Sequence, residues 1–273
     1  MNKPIGVIDS GVGGLTVASE LIRQLPKEEI IYIGDTSRCP YGPRHEEEVR
    51  KYTWEMIDYL LLHEIKLLVI ACNTATAVVL EEAKEKLSIP VIGVIHPGAI
   101  AALKSTRKNH IGVIGTEGTI SSGAYYQELT SINNDVKVVS VACPTLVPLV
   151  ESGGFTGNHA TEIIEHALKP ILEYDIDSLI LGCTHYPLIL AKIQEIAGPD
   201  INIICSGDET AREVSALLYH NKLLYFGTRI PIHLFYTTGF PETFEKVASD
   251  WLDRDDLIVK VTDLNKLEVS EWY

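Results

Sequence analysis

The chain alternates between short apolar runs and longer segments in which apolar and polar residues repeat at helical spacing. The short runs are rich in Ile and Val, which is typical of strands that are covered on both faces. They lie at residues 4–8, 30–33, 67–70, 91–94, 111–114, 136–141, 179–181 and 201–204. The amphipathic segments lie at residues 46–62, 75–86, 160–172, 187–196 and 208–219. This alternation predicts an α/β fold with mainly parallel sheets flanked by helices.

The first part of the chain is echoed in the second. The tetrapeptide IGVI of residues 5–8 recurs at 111–114, and the apolar run that leads to Cys72 is echoed by the run that leads to Cys183. Two ordered matches at similar offsets indicate two copies of one α/β unit. The sequence therefore predicts two pseudo-symmetric lobes with a cleft between them.

Proline and glycine residues suggest where the lobes divide. The break is predicted near His96-Pro97-Gly98, and the chain is predicted to cross back near residues 206–207. The first lobe would comprise residues 1–96 and be completed by 208–273, and the second would comprise 97–207. A strand-like segment at 230–236 and an amphipathic segment at 241–252 would extend the first lobe.

The composition excludes several classes of protein. The chain of 273 residues is 46% hydrophobic and 22% charged, as in globular proteins. Its formal net charge of -14, without a Lys/Arg cluster, argues against nucleic acid as a ligand, because such binding depends on neutralising phosphates. The longest uncharged stretch, 87–103, contains Pro90 and Pro97 and does not resemble a membrane span. We therefore expect a cytoplasmic protein that does not bind membranes.

Two of the five cysteines stand at positions suited to chemistry. The chain has no C-x-x-C pair, which fits a reducing compartment and provides no zinc-ligand spacing. Cys72 and Cys183 each follow an apolar strand and precede a predicted helix. Because a helix N-terminus lowers the pKa of a thiol, we expect both side chains to be able to act as bases.

Three titratable residues are candidate proton partners for these thiols. Asp9 ends the first predicted strand, where a buried carboxylate must be paired or functional. His185 lies two residues after Cys183, and Glu151 precedes a glycine pair. The loop 11–14 leaves open a nucleotide site, although Thr16 occupies the position of the third glycine in the G-x-G-x-x-G motif.

Uncharged donors also follow the predicted strands. Since ligands of parallel sheets bind beyond the carboxyl ends of the strands, these groups are expected to meet at one site. Donors at helix starts suit the carboxylates of a small acidic ligand, and the loop at 35–42 would add backbone N–H groups. The side-chain donors are Ser10, Asn73, Thr74, Thr116, Thr119 and Thr184.

Four motifs together resemble the bacterial glutamate racemases of the aspartate/glutamate racemase family. They are DSGVGGL at 9–15, PYG at 40–42, ACNTA at 71–75 and GCTHYP at 182–187. The resemblance extends from the N-terminus to about residue 218. It implies two pseudo-symmetric α/β lobes, an active site between them and no pyridoxal phosphate or other cofactor. One departure is Cys205, where many relatives carry Asp.

The resemblance also implies roles for individual residues. Catalytic roles fall on Cys72, Cys183, Asp9, His185 and Glu151. Substrate contacts fall on Asp9, Ser10, Tyr41, Gly42, Asn73, Thr74, Thr116, Thr119, Thr184 and His185. No metal ligand is implied.

The activity implied by the resemblance is a cofactor-independent racemisation of L-glutamate to D-glutamate. Two cysteines on opposite faces of the substrate Cα would exchange its proton, and the product would supply peptidoglycan synthesis. Three alternatives remain open from the residues: an aspartate racemase, a cysteine hydrolase that uses Cys183 with His185, and a nucleotide-binding module. The oligomeric state is not determined by the sequence, and a homodimer is one possibility.

Overall fold

The computed structural model describes residues 2–153, 156–254 and 256–264, which form two parallel sheets. The first sheet has the strand order β10-β9-β2-β1-β3-β4, and every pairing in it is parallel. Its strands are β1 (Ile5–Asp9), β2 (Ile30–Gly34), β3 (Leu67–Ile70), β4 (Val91–Gly93), β9 (Leu234–Thr237) and β10 (Ile258–Val261).

The second sheet repeats the arrangement of the central part of the first. Its order is β6-β5-β7-β8, which corresponds to β2-β1-β3-β4 when β5 replaces β1. Its strands are β5 (His110–Gly115), β6 (Lys137–Ala142), β7 (Ser178–Gly182) and β8 (Asn202–Ile204). The predicted α/β class with two pseudo-symmetric lobes is therefore confirmed.

Helices cover both faces of each sheet, so the central strands are buried on both sides. In β1, Ile5 and Val7 face one apolar cluster and Ile8 faces another, as the two-residue period of a strand requires. The helices are α1 (Leu15–Gln24), α2 (Glu46–Leu61), α3 (Asn73–Lys86), α4 (Ile95–Ser105), α5 (Glu117–Ser121), α6 (Ala124–Ile132), α7 (Leu146–Glu151), α8 (Asn158–Leu172), α9 (Leu190–Ala197), α10 (Gly207–His220) and α11 (Pro241–Leu252).

Several predicted elements differ from the observed ones. The segment 187–196 divides into a 3-10 helix, Tyr186–Ile189, and α9. Only the end of the segment 230–236 becomes a strand, since β9 begins at Leu234. The strand β6 lies at a sheet edge and is only partly buried, whereas its apolar run predicted burial on both faces.

The residues predicted to divide the lobes lie in a helix. His96, Pro97 and Gly98 form the first turn of α4, where a proline is tolerated because its nitrogen needs no hydrogen bond there. Helix α4 packs against α6 and β7. The strands β9 and β10 extend the first sheet beyond β2, and residues 265–273 lie outside the described part. The lobe limits drawn from the sequence remain a proposal.

In the described part of the chain, no helix is both long and apolar enough to cross a lipid bilayer.

Candidate active site

A small cavity lies between the two lobes, at the carboxyl ends of strands from both sheets. Most of the residues singled out from the sequence border it. The lining consists of Ser10, Pro40, Tyr41, Gly42, Cys72, Asn73, Thr74, Thr116, Val147, Gly182, Cys183, Thr184 and His185. This position is the one expected for a ligand site in parallel α/β sheets.

Cys72 stands at the start of α3 and is 5% exposed. Its Sγ accepts a hydrogen bond from the backbone N–H of Ala75 at 3.5 Å and lies 3.7 Å from Ser10 Oγ. Burial, reinforced by the negative charge of Asp9, nevertheless raises the pKa of Cys72 to about 12. The expectation that the helix N-terminus would lower this pKa is wrong, because the cost of burying a thiolate exceeds the effect of one N–H donor.

Cys183 follows the equivalent strand, β7, in the second lobe. It lies three residues before the 3-10 helix and does not cap a helix, unlike Cys72. Its Sγ is 3.7 Å from Nδ1 of His185. The two thiols therefore reach the cavity from equivalent strand ends, but their immediate surroundings differ.

His185 connects Cys183 with Glu151. Its Nε2 is 2.5 Å from Glu151 Oε1, at the end of α7. Burial by itself lowers the pKa of His185, but hydrogen bonds with Cys183, Cys39 and Glu151 raise it well above its ordinary value. For Glu151 burial acts upward, yet the hydrogen bond with His185 leaves its pKa lowered. The two directions agree and describe an imidazolium paired with a carboxylate.

Asp9 lies beneath the cavity and has no exposed surface. Its carboxylate accepts hydrogen bonds from the N–H of Gly11 at 2.9 Å and from Thr184 Oγ1 at 3.1 Å. Burial raises the pKa of Asp9, and the positive charge of His185 opposes that shift. Because Thr184 belongs to the second sheet's loops, Asp9 also links the two lobes.

Three threonine hydroxyls meet where the lobes approach each other. Thr74 Oγ1, at the start of α3, is 2.9 Å from Thr116 Oγ1 and 3.1 Å from Thr119 Oγ1. Thr116 also caps α5, since its hydroxyl accepts the N–H of Thr119 at 3.2 Å. Thr119 is not among the residues that border the cavity, so it supports Thr74 and Thr116 from behind.

Tyr41 and Gly42 both border the cavity. The Tyr41 hydroxyl donates to Asp35 Oδ2 at 2.5 Å and is therefore not free to bind a ligand in this arrangement. The carbonyl of Gly42 accepts the N–H of Gly118 at 2.9 Å. A side chain at Gly42 would place its Cβ 2.5 Å from Cβ of Thr116, so glycine permits the close contact of the lobes.

The glycine-rich loop after β1 likewise permits the close contact of the lobes. A Cβ at Gly13 would lie 2.5 Å from Thr184 Oγ1 and 2.6 Å from His185 Nδ1. Side chains of the second lobe therefore pack directly against this loop. They leave no room for a phosphate group, which argues against the nucleotide-binding alternative. α1 begins only at Leu15, with Gly14 at the capping position.

Sequence reasoning missed some neighbours of the site. Tyr125, from α6, donates to Asn73 Oδ1 at 2.7 Å and orients that amide at the cavity wall. Val147 borders the cavity from α7. Neither residue carries a local motif, and only the strand-end position of Asn73 hinted at a partner. Cys205 borders a second cavity on the other side of Cys183 and not the cavity described here.

Comparison with known proteins gives consistent matches over nearly the whole chain. A family model described as Asp/Glu/Hydantoin racemase matches residues 5–214. A protein of Bacillus cereus (strain ATCC 10987) named glutamate racemase is 61% identical over 251 residues, which cover 92% of this chain and 93% of that protein.

Solved structures show the same similarity. The glutamate racemase isoform RacE1 of Bacillus anthracis has a TM-score of 0.93 and 52% identity, covering 96% of this chain and 98% of that one. The glutamate racemase of Francisella tularensis, solved in complex with D-glutamate, has a TM-score of 0.89 and 35% identity, covering 97% and 98%.

Proposed function

This chain belongs to the Asp/Glu/Hydantoin racemase family, and from that premise we propose that it interconverts L- and D-glutamate without a cofactor. It is an amino-acid racemase, and the resemblance found in the sequence motifs is confirmed. The named glutamate racemases among its relatives support glutamate as the small-molecule substrate.

The observation that carries the mechanism is the placement of two thiols at equivalent strand ends. Cys72 follows β3 and Cys183 follows β7, and both border one cavity. Inversion at a carbon requires one group to remove the α proton on one face and another to deliver a proton on the opposite face. A duplicated lobe supplies such a pair, and each thiol would act as base for one enantiomer and acid for the other.

The surroundings of each thiol supply different proton chemistry. The pKa of Cys72, raised to about 12 by burial, keeps this thiol protonated in the cavity without substrate, ready to act as an acid. Near Cys183, the protonated His185 is a group that can exchange a proton with Sγ, and its pairing with Glu151 holds the ring in place. The ammonium group of bound glutamate would favour thiolate formation at Cys72 for the reverse direction.

Binding of glutamate is proposed to rest on uncharged donors. The hydroxyls of Ser10, Thr74, Thr116 and Thr184 and the amide of Asn73 line or adjoin the cavity. Neutral donors that are already held in place can stabilise charge that develops on the α carboxylate as the proton leaves. They also allow an acidic protein to hold an amino acid that has two carboxylates.

The cellular role follows from the product. D-Glutamate is a component of peptidoglycan, so we place this activity in cell-wall synthesis and in the bacterial cytoplasm. A homodimer remains a prediction that sedimentation of the purified protein would test.

The two-thiol mechanism is tested with Cys72→Ser and Cys183→Ser. Each replacement should lower the rate of racemisation at least about 10²-fold in both directions, because a serine hydroxyl cannot take up the proton of such a weak acid. A chiral assay of L-glutamate and D-glutamate measures the effect. Parental rates in either variant would rule out the two-thiol mechanism.

Cys143→Ser is the matched control. Cys143 is a buried thiol that does not border the cavity, and its Sγ lies 3.5 Å from the carbonyl of Ala167, which a serine hydroxyl can also reach. It should retain racemisation. A cysteine hydrolase built on Cys183 would instead tolerate the loss of Cys72.

Two further measurements separate the remaining alternatives. In deuterium oxide, label should enter Cα of the product much faster than Cα of recovered substrate, whereas a single-base enzyme would return the original proton. The same assay with L-aspartate, without added cofactor, decides between the two substrates.

A further inference from the structure

Outside the pair of cavity thiols, the fold brings a third cysteine close to two other ionisable side chains. Cys39 Sγ is 3.9 Å from Glu151 Oε1, and that oxygen is 2.5 Å from His185 Nε2. One ligand atom from each of the three residues lies within 4.8 Å of the others. We propose that Cys39, Glu151 and His185 form a zinc site at the edge of the cleft, and that zinc bound there inhibits the enzyme.

The distances are close to those of a tetrahedral zinc centre. Bonds of about 2.3 Å to sulfur and about 2.0 Å to nitrogen and oxygen place sulfur and oxygen about 3.5 Å apart, and nitrogen and oxygen about 3.3 Å apart. The sulfur and oxygen need to approach by less than 1 Å from their separation of 3.9 Å. The nitrogen and oxygen are 2.5 Å apart and need to separate by about 0.8 Å. Rotation of the Glu151 side chain changes both of these distances, and the sulfur and the nitrogen already lie within 4.8 Å of each other.

The three ligands suit zinc chemically. A thiolate, an imidazole and a carboxylate are its usual donors, and two negative ligands balance the charge of the ion. Binding would displace one proton from Cys39 and one from His185, and both would leave to solvent. The overall negative charge of the protein favours the approach of a cation.

Solvent can reach this cluster. The Glu151 side chain is 40% exposed, while His185 is buried and Cys39 is partly buried. Glu151 and Val150 also border a separate open cavity whose other walls come from the first lobe, among them Thr36, Ser37 and Phe240. An ion arriving through that cavity would meet Glu151 first, without passing Cys72 or Cys183.

Inhibition follows from the position of His185. A zinc ion would replace the proton of Nε2, which faces Glu151, while Nδ1 still faces Cys183. The ring could then give its Nδ1 proton to Cys183 only by becoming a zinc-bound imidazolate, so it would be a much weaker acid than the imidazolium. This consequence rests on the proposed function, whereas metal binding does not. Because the ion lies outside the substrate cavity, saturating glutamate should not relieve the inhibition.

Binding is tested on the intact protein with Co²⁺ as a spectroscopic probe and Zn²⁺ against a chelating indicator. The parent should show a thiolate-to-cobalt charge-transfer band, which Cys39→Ser should lack and Cys183→Ser should retain. Zinc affinity should fall on the order of 100-fold in Cys39→Ser, since even partners of metal ligands contribute about 10- to 100-fold. Cys143→Ser, a buried thiol outside the cluster, should bind like the parent.

The inhibition arm compares each variant with its own metal-free rate. Zinc should slow the parent and Cys143→Ser, and Cys39→Ser should require on the order of 100-fold more zinc. Glu151→Gln gives the same reading for binding if Cys39→Ser does not fold.

Three further outcomes bear separately on the zinc site, on the inhibition and on the proposed function. A cobalt band that persists in Cys39→Ser and vanishes in Cys183→Ser would place the metal on the cavity thiols and overturn the site. Zinc binding that depends on Cys39 without slowing the parent would overturn the inhibition. A protein that binds zinc as described but racemises neither amino acid would support the site and refute the proposed function.

Discussion

Burial controls the charge of the ionisable side chains around the cleft. It raises the pKa of Cys72 to about 12 and also raises that of Asp9, because each charged form would lose its hydration. Direct contact overrides burial for His185 and Glu151, which shift in opposite directions as a charged pair. The site therefore contains one imidazolium–carboxylate pair and keeps the Cys72 thiol neutral.

Burial also shifts the pKa of His233, which makes the stability of the fold sensitive to acid. His233 lies just before β9, is 7% exposed, and its Nδ1 has no hydrogen-bond partner within the described residues. Burial, together with the positive charge of Arg254, lowers its pKa to about 4. The ordinary value in an unfolded chain is about 6.5.

The stability contributed by neutral His233 is complete above a pH of about 6.5 and is lost as the pH falls towards about 4. Between these values the unfolded chain binds a proton that the folded chain excludes, which lowers the free energy of unfolding by up to about 3 kcal/mol. His233→Leu should remove this component, as measured by urea unfolding across the same pH range. His166→Leu, at an exposed position, should leave the acid dependence unchanged. Equal acid dependence in His233→Leu and the parent would contradict the prediction.

At the scale of secondary-structure elements, the position of a strand depends on the hydrogen bonds that join it to neighbouring loops. Asp177 directly precedes β7, the strand that leads to Cys183. Its carboxylate accepts hydrogen bonds from Thr106 Oγ1 at 2.5 Å and from the N–H groups of Arg107 and Lys108 at 2.6 and 2.7 Å. One side chain thus fixes the connection between α4 and β5 to the start of β7.

Asp177→Ala should lower the free energy of unfolding by about 2–3 kcal/mol. The replacement leaves two backbone N–H groups and one hydroxyl without their acceptor, each in a partly buried loop. Urea unfolding measures the change. Asp175→Ala removes a neighbouring carboxylate that is 72% exposed and should have little effect. Equal losses in the two variants would show that Asp177 does not anchor the loop.

At the scale of the whole molecule, the site depends on how closely the two lobes approach. Asp9 accepts a hydrogen bond from Thr184 across the lobes, and the backbone of Gly42 contacts Gly118. Small residues make this approach possible, since a Cβ at Gly42 would clash with Thr116. The relative position of the two thiols therefore rests on glycine at the lobe contact.

Gly42→Ala should separate the lobes and lower racemisation by about 100-fold, because displacement of reacting groups by about 1 Å has effects of that size. The variant should still unfold cooperatively, and its kcat/KM is the measurement. Gly207→Ala is the control, since its Cβ would lie 3.3 Å from Cγ of Glu20, a flexible side chain, and at an ordinary contact distance of 3.4 Å from the carbonyl of Thr16. Parental activity in Gly42→Ala would show that the lobes can shift without loss.

Local pattern determined much of this protein. The two-residue and helical periods of apolar residues are properties of neighbouring positions, so they located the central strands and indicated the repeat. They also placed Cys72 and Cys183 after equivalent strands, and the motifs around them identified the family. The prediction was wrong for elements with weaker patterns. The edge strand β6 is only partly buried, and the segment that contains α9 is divided.

Tertiary structure alone decided the properties that depend on distant residues. The pKa of Cys72 reflects burial by both lobes, and a local helix N-terminus predicted the opposite direction. The contact of Tyr125 with Asn73 joins elements far apart in the chain. The cluster of Cys39, Glu151 and His185 comes from three separate segments, so no ligand spacing in the sequence could reveal it. Burial and proximity arise only when the chain has folded, which is why the sequence located the thiols but not their protonation.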